Sequence, residues 1–534
     1  MKVLKRVKNS DNQTVGFITD SNEFYTVEFI KQNIAGFSNI TLDNNGTVKG
    51  KSRLPIVYYS TLQKERYVKE VKKNNFERDI QKDLEYWRKH NSDIILQLDG
   101  SRQIGKTTEL TKFAYKNYEY VVYINLVQDN NLFYDTVLKN SVNLYSMNQY
   151  CTLRGLPPFH NSSKTILIID EVQYNSLVYN KLRELRNVLN CHIIITGSYL
   201  GRLLKSKYFK PMGTVEILTM FNLSFSEFLK VFNKIELLNK LNLYGKSNDK
   251  EYEELFNYYN IYRQIGGYPA VIKEYLKTKN IASCMNIISR LLDVFDIELN
   301  EDDNDIKDRE LQNYIYKEAI LRMLQNKKGS GKDLIEDVTN DIKRNSNMIV
   351  SKSDVNRAIK LLIYSKIIGT SSLCANGDIV NLHANRRLYY LDGDIVNLHA
   401  NRRLYYLDCG IVNYLTSTNF IIDSDKEGLI TETFVFCELY RLFFSKFSDM
   451  KVKGATPSFA IYNEYELDFL IIGMDNTVYG IEAKTKTGTV KSLKVFIDKK
   501  IIDKGIVAKA SKGGINEQYM TIPIFAVGYR FPYN

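Results

Sequence analysis

Apolar residues follow two different rhythms along this chain. Between Asp93 and about Met220, four unbroken apolar runs are separated by stretches of helical spacing: Ile94-Ile95-Leu96, Val121-Val122-Tyr123-Ile124, Ile166-Leu167-Ile168-Ile169 and Ile193-Ile194-Ile195. A run that is apolar at every position marks a strand covered on both faces, as in a parallel sheet flanked by helices. An α/β core is therefore expected over residues 93–220. Residues 1–60 carry shorter β-like runs such as Val15-Gly16-Phe17-Ile18-Thr19, broken by the turn-prone Asp43-Asn44-Asn45-Gly46, and predict a small β-rich region. Between them, residues 61–92 are dense in Lys and Glu and free of Gly and Pro, the composition of a linking helix.

Beyond the core, residues 221–300 read as helices around Gly266-Gly267-Tyr268-Pro269, the makings of a helical lid. The acidic segment Glu298 to Asp308 is expected to mark a domain boundary. Residues 310–410 run helices first and strand-like residues after, which predicts a winged helix. Its helix from Ser353 has apolar positions at helical spacing, with Ser353 as the candidate cap. Residues 420–534 return to a mixed α/β pattern.

Within the winged-helix stretch, Gly377 to Asp392 reads GDIVNLHANRRLYYLD, and Gly393 to Asp408 repeats it letter for letter. One identical extra copy reads as a recent duplication or a sequence-assembly error rather than a functional repeat array, which needs at least about three diverged units. Because sixteen is even, a slip by one copy keeps each residue on the same sheet face, so either copy fits the native strand. His383, His399 and their neighbouring Arg pairs therefore count once.

A chain of 534 residues exceeds one ordinary core. Its 44% hydrophobic and 25% charged residues are those of a globular protein, and no stretch suits a bilayer span. Met1-Lys2-Val3-Leu4-Lys5-Arg6 is basic but is followed by Asn, Asp and Gln rather than an apolar segment, so a cytoplasmic location is expected. Cys151, Cys191, Cys284, Cys374, Cys409 and Cys437 lie far apart and read as buried, reduced thiols. A net charge of +12 suits a polyanionic partner such as DNA. The same richness in Lys, Asn, Ile and Tyr also follows from an AT-rich genome, so charge alone does not establish that partner.

The strongest chemical signal is Gly100-Ser101-Arg102-Gln103-Ile104-Gly105-Lys106-Thr107-Thr108. A phosphate loop needs glycines that let backbone N–H groups wrap phosphates, a Lys for the outer phosphates and a hydroxyl for Mg²⁺. Gly100, Gly105, Lys106 and Thr107 supply them, between a predicted strand and a predicted helix whose N-terminus favours anions. The strand Ile166 to Ile169 ends in Asp170-Glu171, which suits a Mg²⁺-side carboxylate followed by a general base. Asp170 as a plain helix cap is the alternative. A further strand ends Ile195-Thr196-Gly197-Ser198, where Ser198 is the preferred γ-phosphate sensor, with Thr196 or simple turn chemistry as the other readings.

These residues, together with Asn-Leu-Ser-Phe-Ser-Glu-Phe-Leu at 222–229 and Gly-Gly-Tyr-Pro-Ala-Val at 266–271, occur in an order that resembles the prokaryotic AAA-type ATPases carrying a C-terminal domain of unknown function. The resemblance runs from about residue 90 to 530 and implies a P-loop ATPase that uses ATP and Mg²⁺. It also implies a Gly-Arg pair shortly before the Leu-Ser-Phe segment, where this chain has Pro211-Met212-Gly213-Thr214. Arg202 and Arg263 are the candidate substitutes, and nucleotide binding is on firmer ground than fast hydrolysis.

Near the end, Glu466-Leu467-Asp468-Phe469 and Tyr479-Gly480-Ile481-Glu482-Ala483-Lys484 flank a turn at Asp475-Asn476. Adjacent strands would bring Asp468 beside Glu482 and Lys484, an arrangement that resembles the PD-(D/E)xK nuclease core: Asp468 and Glu482 as metal ligands, Lys484 placing the attacking water. Glu432 is a further candidate carboxylate, and a surface ion pair is the plainer reading of the same residues. From Lys484 to Lys512 there are nine Lys against two Asp, either a solvated face or a phosphate-contacting stripe. The sequence thus reads as an α/β chain with a P-loop AAA-type core, helical lid, winged helix and restriction-endonuclease-like end. Two functions compete: a DNA-associated ATPase with a metal-dependent nuclease site, and an ATP-dependent switch that binds a protein partner through an inactive nuclease-like domain. Self-assembly into a homo-oligomer is compatible with both. Lys106 argues against a third, nucleotide-independent DNA-binding regulator.

Overall fold

The computed structural model describes every residue except 52–53, 74–75, 199–202, 204–207, 209–212, 301–305, 327–332, 376–397, 400, 420, 445–451, 486–487 and 530–534. The chain divides into two compact units, one of Met1–Asp99, Gly105–Gly197 and Lys205–Leu218, the other of Gly100–Ile104, Ser198–Leu204 and Thr219–Asn534.

In the first unit, the expected parallel sheet is present. Its strand order is Val215–Thr219, Ile95–Asp99, His192–Thr196, Thr165–Asp170, Tyr120–Asn125. The last four pair in parallel. Ile95, Leu98, Ile166, Leu167, Ile169, Ile193, Ile194 and Ile195 are at most marginally accessible, as unbroken apolar runs require. The N-terminal region forms a four-stranded sheet and a separate hairpin of Ile40–Leu42 with Val48–Gly50, turned by the Asp43 carboxylate, which accepts from the Asn45 and Thr47 N–H groups. The linking helix differs from expectation by being two helices, Tyr59–Lys73 and Ile80–His90. Phe76 between them is buried, and its carbonyl accepts from the buried Lys112 ammonium at 3.1 Å, an anchor that a continuous helix would forfeit.

The second unit begins with the expected helices, including Phe225–Val231, Asp249–Ile265, Pro269–Thr278 and Ile281–Asn300. Glu298 to Asp308, read as a boundary, falls inside this unit. The cause is aromatic packing across it: Phe434 lies 6.2 Å from Phe225 and 4.9 Å from Tyr259, and Phe525 lies 6.0 Å from each. The helix expected to start at Ser353 is Lys352–Tyr364, capped by Ser351. Only Ser351 has an acidic residue three positions on, and the Ser351–Asp354 capping box satisfies two backbone N–H groups at once. Lys352 pairs with Glu336 at 3.3 Å and Arg357 with Asp354 at 3.1 Å.

An eight-stranded mixed sheet runs Arg402–Tyr406, Ile368–Ala375, Val452–Tyr462, Tyr465–Gly473, Val478–Lys484, Lys504–Lys509, Tyr519–Pro523, Gly514–Ile515. Arg402–Tyr406 comes from the second copy of the duplicated segment and pairs antiparallel with Ile368–Ala375. The equivalent residues of the first copy, with His383, lie outside the described residues. The choice of copy has a steric basis at Gly410, where a Cβ would sit 2.4 Å from the Ile265 carbonyl oxygen. Two residues past its terminal Asp, the first copy has Asp394 instead.

All six cysteines are buried and free, and among the described residues no helix is long and apolar enough to cross a membrane. His192 opens its strand with Nδ1 at 2.7 Å from the Tyr118 hydroxyl. Burial, helped by the Arg186 and Arg88 charges, lowers its pKa from 6.5 to about 4. The unfolded chain binds that proton near 6.5, so folding should weaken as pH falls from 6.5 towards 4, with no further loss from this group below. Urea midpoints across that range should decline, and decline less steeply in His192→Gln; equal slopes would show that His192 does not supply the dependence.

Candidate functional site

The phosphate loop leaves strand Ile95–Asp99 and enters helix Lys106–Asn117. Its backbone adopts the left-handed region at Gln103 (φ 62°) and Gly105 (φ 98°), with Gly105 in the capping position of the helix. Glycine is also required at Gly100, where a Cβ would lie 2.3 Å from the Met220 carbonyl oxygen. Ile104 is fully buried and pins the middle of the loop, whereas Gln103 and Thr107 are exposed and Arg102 and Thr108 are half-buried. Lys106 is buried at the first helical position.

Within the first unit, the Thr107 hydroxyl donates to Asp170 Oδ2 at 3.0 Å, so two residues distant in sequence share one point at the end of the sheet. The same oxygen accepts from the Tyr123 hydroxyl at 2.6 Å. Tyr123 was missed in the sequence because it sits inside an apolar run; its signal is the parallel register that sets Asn125 level with Asp170 and Tyr123 two residues before it. Burial, then the Asp170 charge, raises the Tyr123 pKa, so the phenol remains a donor. Glu171 stands at φ 56°, its N–H on Asp170 Oδ1 at 2.8 Å and its Oε2 accepting from Gln173 Nε2 at 2.5 Å. Gln173 is held in turn through its carbonyl by the Tyr208 hydroxyl. Asp170 does not act as a side-chain cap on the short helix that follows.

Thr196 is wholly buried and its hydroxyl donates to the Leu98 carbonyl at 2.9 Å, a cross-strand tie. Ser198 is half-buried and, like Gly100–Ile104, belongs to the second unit. Arg263 forms an ion pair with Glu427 and lies over Tyr259, while Arg202 is outside the described residues.

In the second unit, antiparallel register pairs Phe469 with Ile481, and Asp468 and Glu482 are the residues that adjoin that last pair. Asp468 Oδ2 accepts from the Ala483 N–H at 2.9 Å, and Lys484 Nζ lies 2.6 Å from Glu482 Oε1. Asp468, Glu482 and Glu432 are buried, and Glu432 Oε1 accepts from the Tyr405 hydroxyl at 2.8 Å. Arg403 pairs with Glu466 at 2.7 Å and lies over the Phe459 ring. Among the described residues, no three His, Cys, Asp or Glu side chains gather closely enough to hold a metal ion. In the Lys-rich stretch, Lys491 lies over Tyr465, Lys504 lies over Tyr479 and Lys512 pairs with Asp249.

Residues 92–229 match the family model of the AAA domain. No curated protein matches the chain. Among solved structures, the Walker-type ATPase PABY2304 of Pyrococcus abyssi is 14% identical, covering 55% of this chain and 91% of its own, at a TM-score of 0.34. The Thermotoga maritima RuvB Holliday junction branch migration motor is 14% identical over 55% of this chain and 89% of its own, at 0.24. The replication initiator DnaA, bound to AMPPCP and single-stranded DNA, is 15% identical over 53% and 86%, also at 0.24. The family match falls on the segment that holds the phosphate loop, Asp170-Glu171 and the parallel sheet: over residues 92–229 this chain carries an AAA-type P-loop ATPase domain.

Proposed function

We propose that this chain is a Mg²⁺-dependent ATPase that works on DNA, its C-terminal sheet carrying a nuclease-type site. The observation that carries the ATP half is the 3.0 Å contact of Thr107 with Asp170. A hydroxyl beside a carboxylate at the mouth of a phosphate loop is an oxygen donor set that suits Mg²⁺. Bound there, Mg²⁺ would neutralise charge on the phosphate oxygens. Tyr123 and the Glu171 N–H hold the two Asp170 oxygens in place, while Gln173 and Tyr208 hold Glu171, the candidate base for the attacking water. Lys106 supplies charge for the outer phosphates, the loop backbone supplies N–H donors, and Ser198 is the candidate sensor.

The DNA half rests on Asp468 and Glu482 adjoining the Phe469–Ile481 pair on neighbouring strands, with Lys484 beside Glu482 and the buried Glu432 on the preceding helix Asp423–Leu442. Helix Asp423–Leu442, three strands paired antiparallel, a helix and a parallel strand follow one another here, so these residues share one sheet and its covering helix. In this reading Asp468 and Glu482 hold the metal and Lys484 orients the water. The Lys484–Glu482 ion pair and the lack of a three-ligand group among the described residues favour a second reading, in which this end is an inactive scaffold for a protein partner.

Three measurements separate these statements. Lys106→Ala removes a charge-assisted phosphate contact and should weaken ATP binding by about 10- to 100-fold. Glu171→Gln should retain binding and lower turnover by about 100-fold or more; equal loss of binding in both would refute this division of roles. Neutralising Lys352, Arg357 and Lys360 should each reduce the log–log salt slope of DNA binding by about 0.9, and an unaltered slope would make that helix a protein-docking element. The exposed ion pairs of Lys352 and Arg357 are worth only about 0–1 kcal/mol and would not prevent such contacts. Finally, Glu482→Ala should abolish metal-dependent cleavage of DNA with ATP turnover intact, and Lys484→Ala should abolish cleavage with metal binding intact. If the unmutated chain neither binds metal at this end nor cuts single-stranded, duplex or branched DNA, the scaffold reading stands.

A further inference from the structure

Two sequence segments with no assigned chemistry, Asn222 to Leu229 and Gly266 to Val271, converge on one buried carboxylate. Asp408 is 3% exposed and accepts from Asn222 Nδ2, from the Gly267 N–H at 2.8 Å and from the Ile411 N–H at 3.1 Å. Asn222 Oδ1 accepts in turn from Arg441 at 2.7 Å, and Arg441 pairs with Glu438. Around them, Leu223 donates its N–H to the Gly267 carbonyl at 2.8 Å and accepts from the Tyr262 hydroxyl at 2.6 Å. The approach is close enough that a Cβ on Gly266 would lie 2.1 Å from Asp408 Oδ1.

The residue that follows this joint is Tyr268. It is buried, and its hydroxyl lies 3.4 Å from Ser101 Oγ, the second residue of the phosphate loop. Three consecutive residues therefore touch both Asp408 and the loop. At 3.4 Å the hydroxyl pair is about 0.6 Å longer than the usual O–H···O distance, so a small movement of the loop can tighten or part it. On the far side, Asp408 joins strand Arg402–Tyr406 to helix Cys409–Thr418, whose first turn it caps.

We propose that Tyr268 is a positioning residue for the ATPase: it sets Ser101 in the phosphate loop and passes a change of that loop to the Asp408 joint, and so to the C-terminal sheet. This rests on the ATP-binding reading of the loop. Backbone N–H groups that close around a phosphate must carry Ser101 with them. Gly266 and Gly267 have no side chains to absorb the movement, and the Asp408 carboxylate, surrounded by donors, must keep its bonds as it moves because an unmet buried charge is costly.

Amide hydrogen exchange on the full chain, with and without a non-hydrolysable ATP analogue plus Mg²⁺ at concentrations saturating each variant, tests this. In the unmutated chain the analogue should change exchange at residues 100–108 and also, by about fivefold or more, at Ile411 to Leu415. Tyr268→Phe keeps the ring and removes only the hydroxyl. It should lose the distant response and retain the local one. A Tyr268→Phe response equal to that of the unmutated chain would overturn the inference, as would an unmutated chain that responds at the loop and not at Ile411 to Leu415. Lack of any response at residues 100–108 would instead sink the ATP-binding reading itself, and this inference with it.

Discussion

A carboxylate taken out of water must be met by donors or it stays unfavourably charged, and the features that matter most in this chain are arranged round three such groups. Asp170, Asp408 and Asp468 are 4%, 3% and 6% exposed, and each accepts at least one backbone N–H. Those bonds also fix geometry. Asp170 is aimed at Thr107, Asp408 fastens Gly267 to Ile411, and Asp468 is locked to the strand that carries Glu482.

The same requirement links local sequence to long-range placement. In the first unit the parallel sheet ends its central strands together, so the residues after each apolar run collect at one edge, the usual ligand-binding edge of such sheets. Glu171 and Gln103 are non-glycine residues with positive φ, a cost that surrounding structure must offset and that concentrates at functional sites. In the second unit an aromatic cluster of Phe225, Tyr259, Tyr262, Phe434 and Phe525 supplies the apolar burial against which the polar joint at Asp408 is held. For Asp408, burial raises the pKa while the Gly267 and Ile411 N–H groups, Asn222 and Arg441 oppose that rise.

Asp408 also gives a meaning to the Leu-Ser-Phe and Gly-Gly-Tyr-Pro segments that resemblance alone did not. Leu223 and Gly267 exchange a backbone bond, Phe225 donates its N–H towards Glu438 at 3.4 Å, and Ser224 caps its own helix through a box with Glu227. The first two tie these segments to the joint and its neighbours and the third caps a helix, so most of these motif residues serve packing, while Tyr268 reaches the phosphate loop.

By itself the sequence determined whatever depends on local period and local chemistry. It placed the four apolar strands of the α/β core, the turn at Asp43 to Gly46, the phosphate loop between a strand and a helix, and the hairpin whose adjacent strands carry Asp468 and Glu482, because these follow from neighbours along the chain or from one hairpin register. Only tertiary structure decided the rest. Tyr123 became a partner of Asp170 through pairing of strands remote in sequence, and Thr196 proved to be a cross-strand tie. The break at Phe76 required Lys112, and the grouping of residues 219–534 across the acidic segment required aromatic contacts that no composition window can register. The duplicated segment is the clearest case. Period and sheet face allow either copy, and the choice of Arg402–Tyr406 follows from the residues just beyond it, where Asp408 finds its donors and only a glycine at position 410 fits against the Ile265 carbonyl.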